Sequence, residues 1–200
     1  TYDTALQVGD VRSFITSSNR SKIDLSLKLF EDYVDTDALE SQISTTKPRG
    51  ITPKMFIFNL LQQARSDRQH IVLPEGEDER ILRAAAVLYN REIVDLTLLG
   101  DEVSIHDTAT RLGLDLDFNQ VPIIKPETSA HFDDYAETLY ELRKHKNLAP
   151  AQARDLMSDV SYFGTMMVYK GDADGMVSGA AHTTMHTIMP ALQFVKTKPG

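Results

Sequence analysis

From His70 onward, short apolar runs rich in Val, Ile and Leu alternate with longer stretches of helical periodicity. No other feature of the 200 residues restricts the fold as much. The runs fall at Ile71–Leu73, Val94–Leu99, Val121–Ile124 and Asp174–Val177. Between them lie helical patterns near Glu77–Tyr89, Val103–Leu112 and His131–Lys146, with further helices near Pro150–Ser158 and Val160–Lys170. A continuous apolar run belongs to a strand buried on both faces, and parallel neighbours need a crossover between them. The expectation is therefore an α/β fold with a mostly parallel sheet and crossover helices. A last helix starts at Thr183 or Thr184 and runs towards Lys196; Pro190 in its interior predicts a kink or a break into two helices.

The first 50 residues differ in pattern. Ile23, Leu27 and Phe30, with Leu25 and Leu29, recur at helical spacing from Ser21 to Val34, and a shorter helix follows over Thr36–Ile43. The polar stretch Ser44–Gly50 reads as a linker, after which a helix begins at Thr52 with Pro53 in its first turn. This divides the chain into residues 1–50 and 51–200.

Composition excludes several functions. A formal charge of −8 and a pI near 5.2 oppose general binding to nucleic acid or anionic membranes, and no apolar run is long enough to span a bilayer. With no cysteine there is no disulfide, thiol nucleophile or thiolate metal site within these residues. Thr1–Asp10 carries no secretory signal pattern, so either the chain is cytoplasmic or its true start is missing, and opening without Met favours the missing start. The first strand exits into Pro74-Glu75-Gly76-Glu77-Asp78 rather than a Gly-x-Gly-x-x-Gly turn, and the Walker A spacing is absent.

Three stretches could carry chemistry. In Gly171–Thr184, a small-residue turn follows an apolar run and opens into a helix starting with hydroxyl residues, which gathers N–H and O–H donors into a phosphate-sized anion site. The same spacing also suits a plain strand-to-helix turn in which the glycines relieve strain and the threonines cap, and pattern alone leaves both open. The basic run Arg143-Lys144-His145-Lys146 complements a helix C-terminus, while the planar fork of Arg143 also fits a phosphate. The acidic turn Glu75–Arg80 reads as the ordinary complement of a helix N-terminus rather than a metal site. His182 and His186 have i,i+4 spacing without a glutamate between them, so no metal is expected.

Ile71-Val72-Leu73-Pro74-Glu75-Gly76, Glu141-Leu142-Arg143-Lys144, Asp174–Ala180 with His182-Thr183-Thr184, and Pro190-Ala191-Leu192-Gln193 then Lys196-Thr197 occur in one order. Together they resemble the phosphate acetyl/butyryl transferases, and within them the phosphate acetyltransferase branch, from about Thr52 to Gly200. Residues 1–50 resemble the end of the regulatory domain that precedes the catalytic domain in long members. The resemblance implies an isocitrate dehydrogenase-like fold, of which this is the first part of a two-subdomain catalytic unit with its site in the cleft. It implies direct, reversible transfer of acetyl between coenzyme A and phosphate, in acetate metabolism, without metal or cofactor and in a homo-oligomer. Carried over residue by residue, Arg143 is an anion contact for phosphate or coenzyme A. Ser178, Gly179, His182, Thr183 and Thr184 form the cleft-facing, substrate-binding turn. The family's Asn-Asp-Leu-Ser-Arg-Gly motif is absent, so the catalytic residues are expected beyond Gly200. Met189 stands where the family usually has arginine, and Met185 and His186 also depart from it. The alternatives are a non-catalytic regulatory or assembly piece, a phosphate butyryltransferase, or the similar domain fused behind malic enzymes.

Overall fold

The computed structural model of the chain describes residues 19–45 and 53–197. Contacts divide the chain into two units, residues 1–57 and 58–200. In the first, α1 (Arg20–Tyr33) and α2 (Thr36–Thr45) are joined at Val34, whose N–H closes α1 on the Phe30 carbonyl. Asp35 then starts α2 by accepting the Ala38 N–H at 3.0 Å. Leu25, Leu27 and Phe30 of α1 are exposed. Ser44 and Thr45, expected in a linker, belong to α2, and the rest of that linker lies outside the described residues. α3 is described over Pro53–Ser66, and its expected start at Thr52 lies outside the described residues.

The second unit is built on four parallel strands in the order β3-β2-β1-β4. They are β1 (His70–Leu73), β2 (Asp95–Leu99), β3 (Ile123–Ile124) and β4 (Gly175–Met176). Each expected strand is present. The last two are shorter than expected: Pro122 has no N–H for a ladder, and its carbonyl accepts the Leu98 N–H at 3.0 Å. The helices are α4 (Glu79–Arg91), α5 (Glu102–Leu112), α6 (Phe132–Arg143), α7 (Pro150–Met157), α8 (Val160–Lys170) and α9 (Thr184–Pro190). α6 ends earlier than expected, in a 3-10 turn over Lys144–Lys146 that closes at Asn147 with φ 62°.

Successive strand residues point to opposite faces, so both sides of the sheet bury side chains. Leu73, Leu96 and Leu98 pack with Leu82, Ala85 and Ile105 of α4 and α5. Val72 and Leu99 pack with Phe132, Tyr135, Leu139, Met157, Phe163 and Met166 of α6, α7 and α8. Gly164 brings α8 down on the sheet: a Cβ there would lie 2.9 Å from Met176 Sδ and 3.2 Å from Leu99 Cδ1. The buried hydroxyl of Thr97 is satisfied at 2.8 Å by His70 Nε2, which removes the penalty for a lone polar group in the sheet.

Pro190 is the last residue of α9, and the helical backbone runs on through it, at φ −58° and ψ −46°, rather than breaking. The chain continues as a π-helical turn over Ala191–Val195, closed by the Lys196 N–H on the Ala191 carbonyl at 2.8 Å. Phe194 of that turn is buried in the cluster under α8. Among the described residues, no helix is long and apolar enough to cross a membrane.

Candidate functional site

In chain order the sheet grows from β1 through β2 to β3, and β4 then joins on the other side of β1. The order reverses at β1/β4, and in such sheets ligands enter the crevice outside the carboxyl ends of the strands at that point. Here that crevice is a cleft of about 290 Å³. Pro74–Asp78 leaving β1, Leu99 and Gly100 at the end of β2, Val160 at the start of α8, and Ala181 and His182 after β4 form its walls.

Gly76 makes the floor possible. Its N–H donates to the Leu99 carbonyl at 3.0 Å, and a Cβ at this position would stand 2.6 Å from that same oxygen. Past Gly76, the acidic residues divide by task. Asp78 caps α4 by accepting the Arg80 N–H at 2.8 Å and also binds the Arg80 guanidinium, which holds its carboxyl down at about 2. Glu77 reaches across to the start of α5, where it accepts the Asp101 N–H at 3.0 Å and the Ser104 hydroxyl at 3.1 Å.

Glu75 does something else. Its carboxylate is almost fully buried and lies inside the turn that follows β4. One oxygen accepts the N–H groups of Gly179 and Ala180 at 2.8 and 2.7 Å; the other accepts those of Ala181 and His182 at 2.7 and 2.6 Å. Burial alone would raise the Glu75 carboxyl, but the four N–H donors outweigh it and leave it below its ordinary value. The expectation that acidic residues here only complement a helix end therefore holds for Asp78 and Glu79 and fails for Glu75, because α4 begins beyond it.

The turn over 178–184 thus has the donor concavity expected of it, and a carboxylate of the protein fills it. The N–H groups of Gly179 and His182 are both directed at Glu75. Of the side chains expected to meet substrate, the Ser178 hydroxyl is buried without a hydrogen-bond partner among the described residues. Thr183 caps α9 by accepting the His186 N–H at 3.3 Å, and Thr184 begins that helix as an exposed residue. The His182 ring stands at the cleft with Nδ1 3.3 Å from the Ser161 hydroxyl and 3.5 Å from Glu75, stacked on His186 with centroids 4.4 Å apart. Met189, one residue before the buried Pro190, is half-buried.

Arg143 is placed differently. It ends α6 half-buried, and its guanidinium donates to the Gln193 carbonyl of the π turn at 3.4 Å. Like Ser178, Gly179, Thr183 and Thr184, it does not line the cleft described above; of the residues expected at the site, His182 does. Ser178, Gly179, His182, Thr183 and Thr184 are thus brought together by one turn, while Arg143 is tied to the segment following α9.

Sequence reasoning missed Glu75, Arg80 and Asp159. Arg80 donates to the Ala180 carbonyl, on the outside of the turn whose inside holds Glu75. Asp159 caps α8 through the Ser161 N–H at 2.9 Å and faces His186 Nε2 at 2.8 Å. The capping roles were visible as acidic residues before helical patterns; the partners more than twenty residues away were not.

A four-stranded parallel sheet covered by helices, with a cleft outside the carboxyl ends of its strands at the strand-order reversal, defines the class: an α/β protein of doubly covered parallel-sheet architecture. Residues 55–200 match the family described as phosphate acetyl/butaryl transferase, and the chain belongs to that family. Over its whole length it is 48% identical to a phosphate acetyltransferase of Synechocystis sp. and 50% identical to one of Nitratidesulfovibrio vulgaris. It spans 29% and 28% of those two proteins, less than a third of either. Among solved structures it resembles a phosphotransacetylase of Streptococcus pyogenes, with a TM-score of 0.68 and 40% identity over 74% of this chain and 44% of that one. The EutD phosphotransacetylase of Staphylococcus aureus gives a TM-score of 0.64 and 44% identity, over 71% of this chain and 43% of that one.

Proposed function

We propose that the protein carrying this chain is a phosphate acetyltransferase, moving acetyl reversibly between the thiol of coenzyme A and inorganic phosphate. The observation that carries this reading is the 48–50% identity to phosphate acetyltransferases along all 200 residues, including the two loops that wall the cleft. In the forward direction a phosphate oxygen attacks the acetyl carbonyl carbon, the carbon–sulfur bond breaks, and the thiolate leaves and takes up a proton. The protein then has to orient two anions and stabilise charge at the carbonyl oxygen, which needs donors aimed in advance and requires no cofactor. Ser178 brings a hydroxyl to this task and His182 an imidazole, with Thr183, Thr184 and Gly179 shaping the turn; Arg143 contacts a phosphate of either substrate.

In this reading residues 1–50 are the end of a regulatory domain, and 51–200 the first part of the catalytic domain. The protein works in the cytoplasm as a homo-oligomer, a role that the exposed Met185, Ile188, Leu192 and Val195, one apolar stripe, would suit. The test is to follow free thiol released from acetyl-coenzyme A by the full-length protein, with and without phosphate. Phosphate-dependent release is expected, and its absence overturns the reading. A second reading, a phosphate butyryltransferase, is favoured by the span of the family itself; faster turnover of butyryl- than acetyl-coenzyme A would select it.

A further inference from the structure

We propose that Glu75 is a positioning residue: a resident anion whose charge, rather than its bulk, holds the 178–184 turn in its working shape. This deepens the proposed function and rests on it for the catalytic part. A buried carboxylate is costly unless its lone pairs are filled. At Glu75 they are filled by four consecutive N–H groups of a segment 104 to 107 residues further along the chain, all within 2.6–2.8 Å. Four backbone donors converging on two oxygens form the kind of nest that binds a phosphate or a free carboxylate. Here the protein supplies the anion.

Two consequences follow from that geometry. The N–H groups of residues 179–182 are saturated, so a substrate anion cannot use these four backbone donors while Glu75 holds them. The placement of Ser178 and His182 also becomes conditional on Glu75, because the turn is otherwise attached by few bonds. These are the Val177 N–H on the Val72 carbonyl, the Arg80 guanidinium on the Ala180 carbonyl, and the His182 ring near Ser161. A neutral amide of the same shape cannot substitute: its NH2 group would face two N–H donors, leaving both without an acceptor.

The experiment has two readouts. Amide hydrogen exchange on the full-length protein reads the nest directly, using Glu75→Gln and Glu75→Ala. In Glu75→Gln, one pair of amides (179 and 180, or 181 and 182) loses protection by roughly 100-fold while the other keeps it, the size expected for hydrogen bonds to a charged group. In Glu75→Ala, all four lose protection, and added formate restores it, whereas chloride at the same ionic strength does not. Should Glu75→Ala fail to fold, the split pattern in Glu75→Gln decides. Four amides that stay protected in Glu75→Gln, or that formate leaves unprotected in a folded Glu75→Ala, overturn the resident-anion assignment.

The second readout is acetyl transfer by full-length Glu75→Gln, where kcat falls roughly 100-fold with the KM for each substrate held, as expected when a preorganised site is loosened. An unchanged kcat overturns the positioning role even if the amides respond. A wild-type protein without acetyl transfer overturns the proposed function instead, and leaves the amide result standing.

Discussion

Asp159 Oδ2 lies 2.8 Å from His186 Nε2, so the residue that caps α8 also faces α9. The other oxygen accepts the N–H groups of Ser161 at 2.9 Å and Tyr162 at 3.2 Å, and His186 stacks in turn on His182 at the cleft. One carboxylate therefore caps one helix and lies beside a ring of the next.

Replacing Asp159 by Ala should cost about 0.5–2 kcal/mol for the lost cap. It should also speed amide exchange along α9. Asp159→Asn keeps a capping oxygen but loses the charge facing His186, so it should spare most of the stability while still loosening α9. Urea unfolding together with amide exchange checks both. Equal exchange in α9 for wild type and the two variants would mean that the contact with His186 holds nothing.

Acid should destabilise the chain through Asp78. The Arg80 guanidinium lowers its carboxyl from 3.8 to about 2 in the folded protein. A depressed carboxyl binds its proton more tightly when unfolded, so its contribution is complete above about pH 4 and is lost as pH falls towards 2. Glu75, also lowered, acts in the same direction. Urea midpoints measured from pH 5 to pH 2 should fall, and Asp78→Asn should make that decline shallower. Added salt should do the same in part, because Arg80 is exposed.

Gly76→Ala should be among the more damaging small substitutions in the second unit. The added methyl would meet a backbone oxygen, Leu99 O, at 2.6 Å, and backbone cannot swing aside as a side-chain tip can. Overpacking of this kind costs about 1–3 kcal/mol. The matching observation is loss of protection at the Gly76 amide, whose bond to Leu99 O must lengthen. A thermal midpoint equal to wild type would show that the loop between β1 and α4 yields without cost.

Arg143→Gln in the full-length protein should raise the KM for phosphate or coenzyme A roughly 10- to 100-fold, the worth of one charged hydrogen bond of about 1.5–3 kcal/mol. Stability should change little, since the hydrogen bond that its guanidinium gives the Gln193 carbonyl is long, at 3.4 Å. Steady-state kinetics with each substrate varied in turn checks this. Unchanged kinetics would leave Arg143 as the basic complement of the α6 C-terminus.

The elements of the second unit were legible because each obeys a local rule. Val72, Leu73, Leu96, Leu98 and Leu99 are apolar on consecutive or alternating positions because both sheet faces are covered, and that pattern is written in the chain. Pro190 marks the point where the α-helix gives way to a π-helical turn, the irregularity that a proline inside a helical pattern predicts. The turn from Ser178 to Thr184 could be read as a gathering of donors, although the same small residues and hydroxyl cap equally suit a plain strand-to-helix turn.

What those donors face was not legible. Glu75 looks in sequence like its neighbours Glu77, Asp78 and Glu79, and only the placement of β4 beside β1 brings residues 179–182 over it. Arg143 and Gln193, or Asp159 and His186, meet for the same reason. The sequence by itself determined the strands, the helices, the irregularity at Pro190 and the family, since these depend on local sterics, periodicity and ordered motifs. The tertiary structure decided which acidic side chain is buried and which donors are already occupied, because a hydrogen bond across a hundred residues depends on strand order and leaves no periodic trace in the chain.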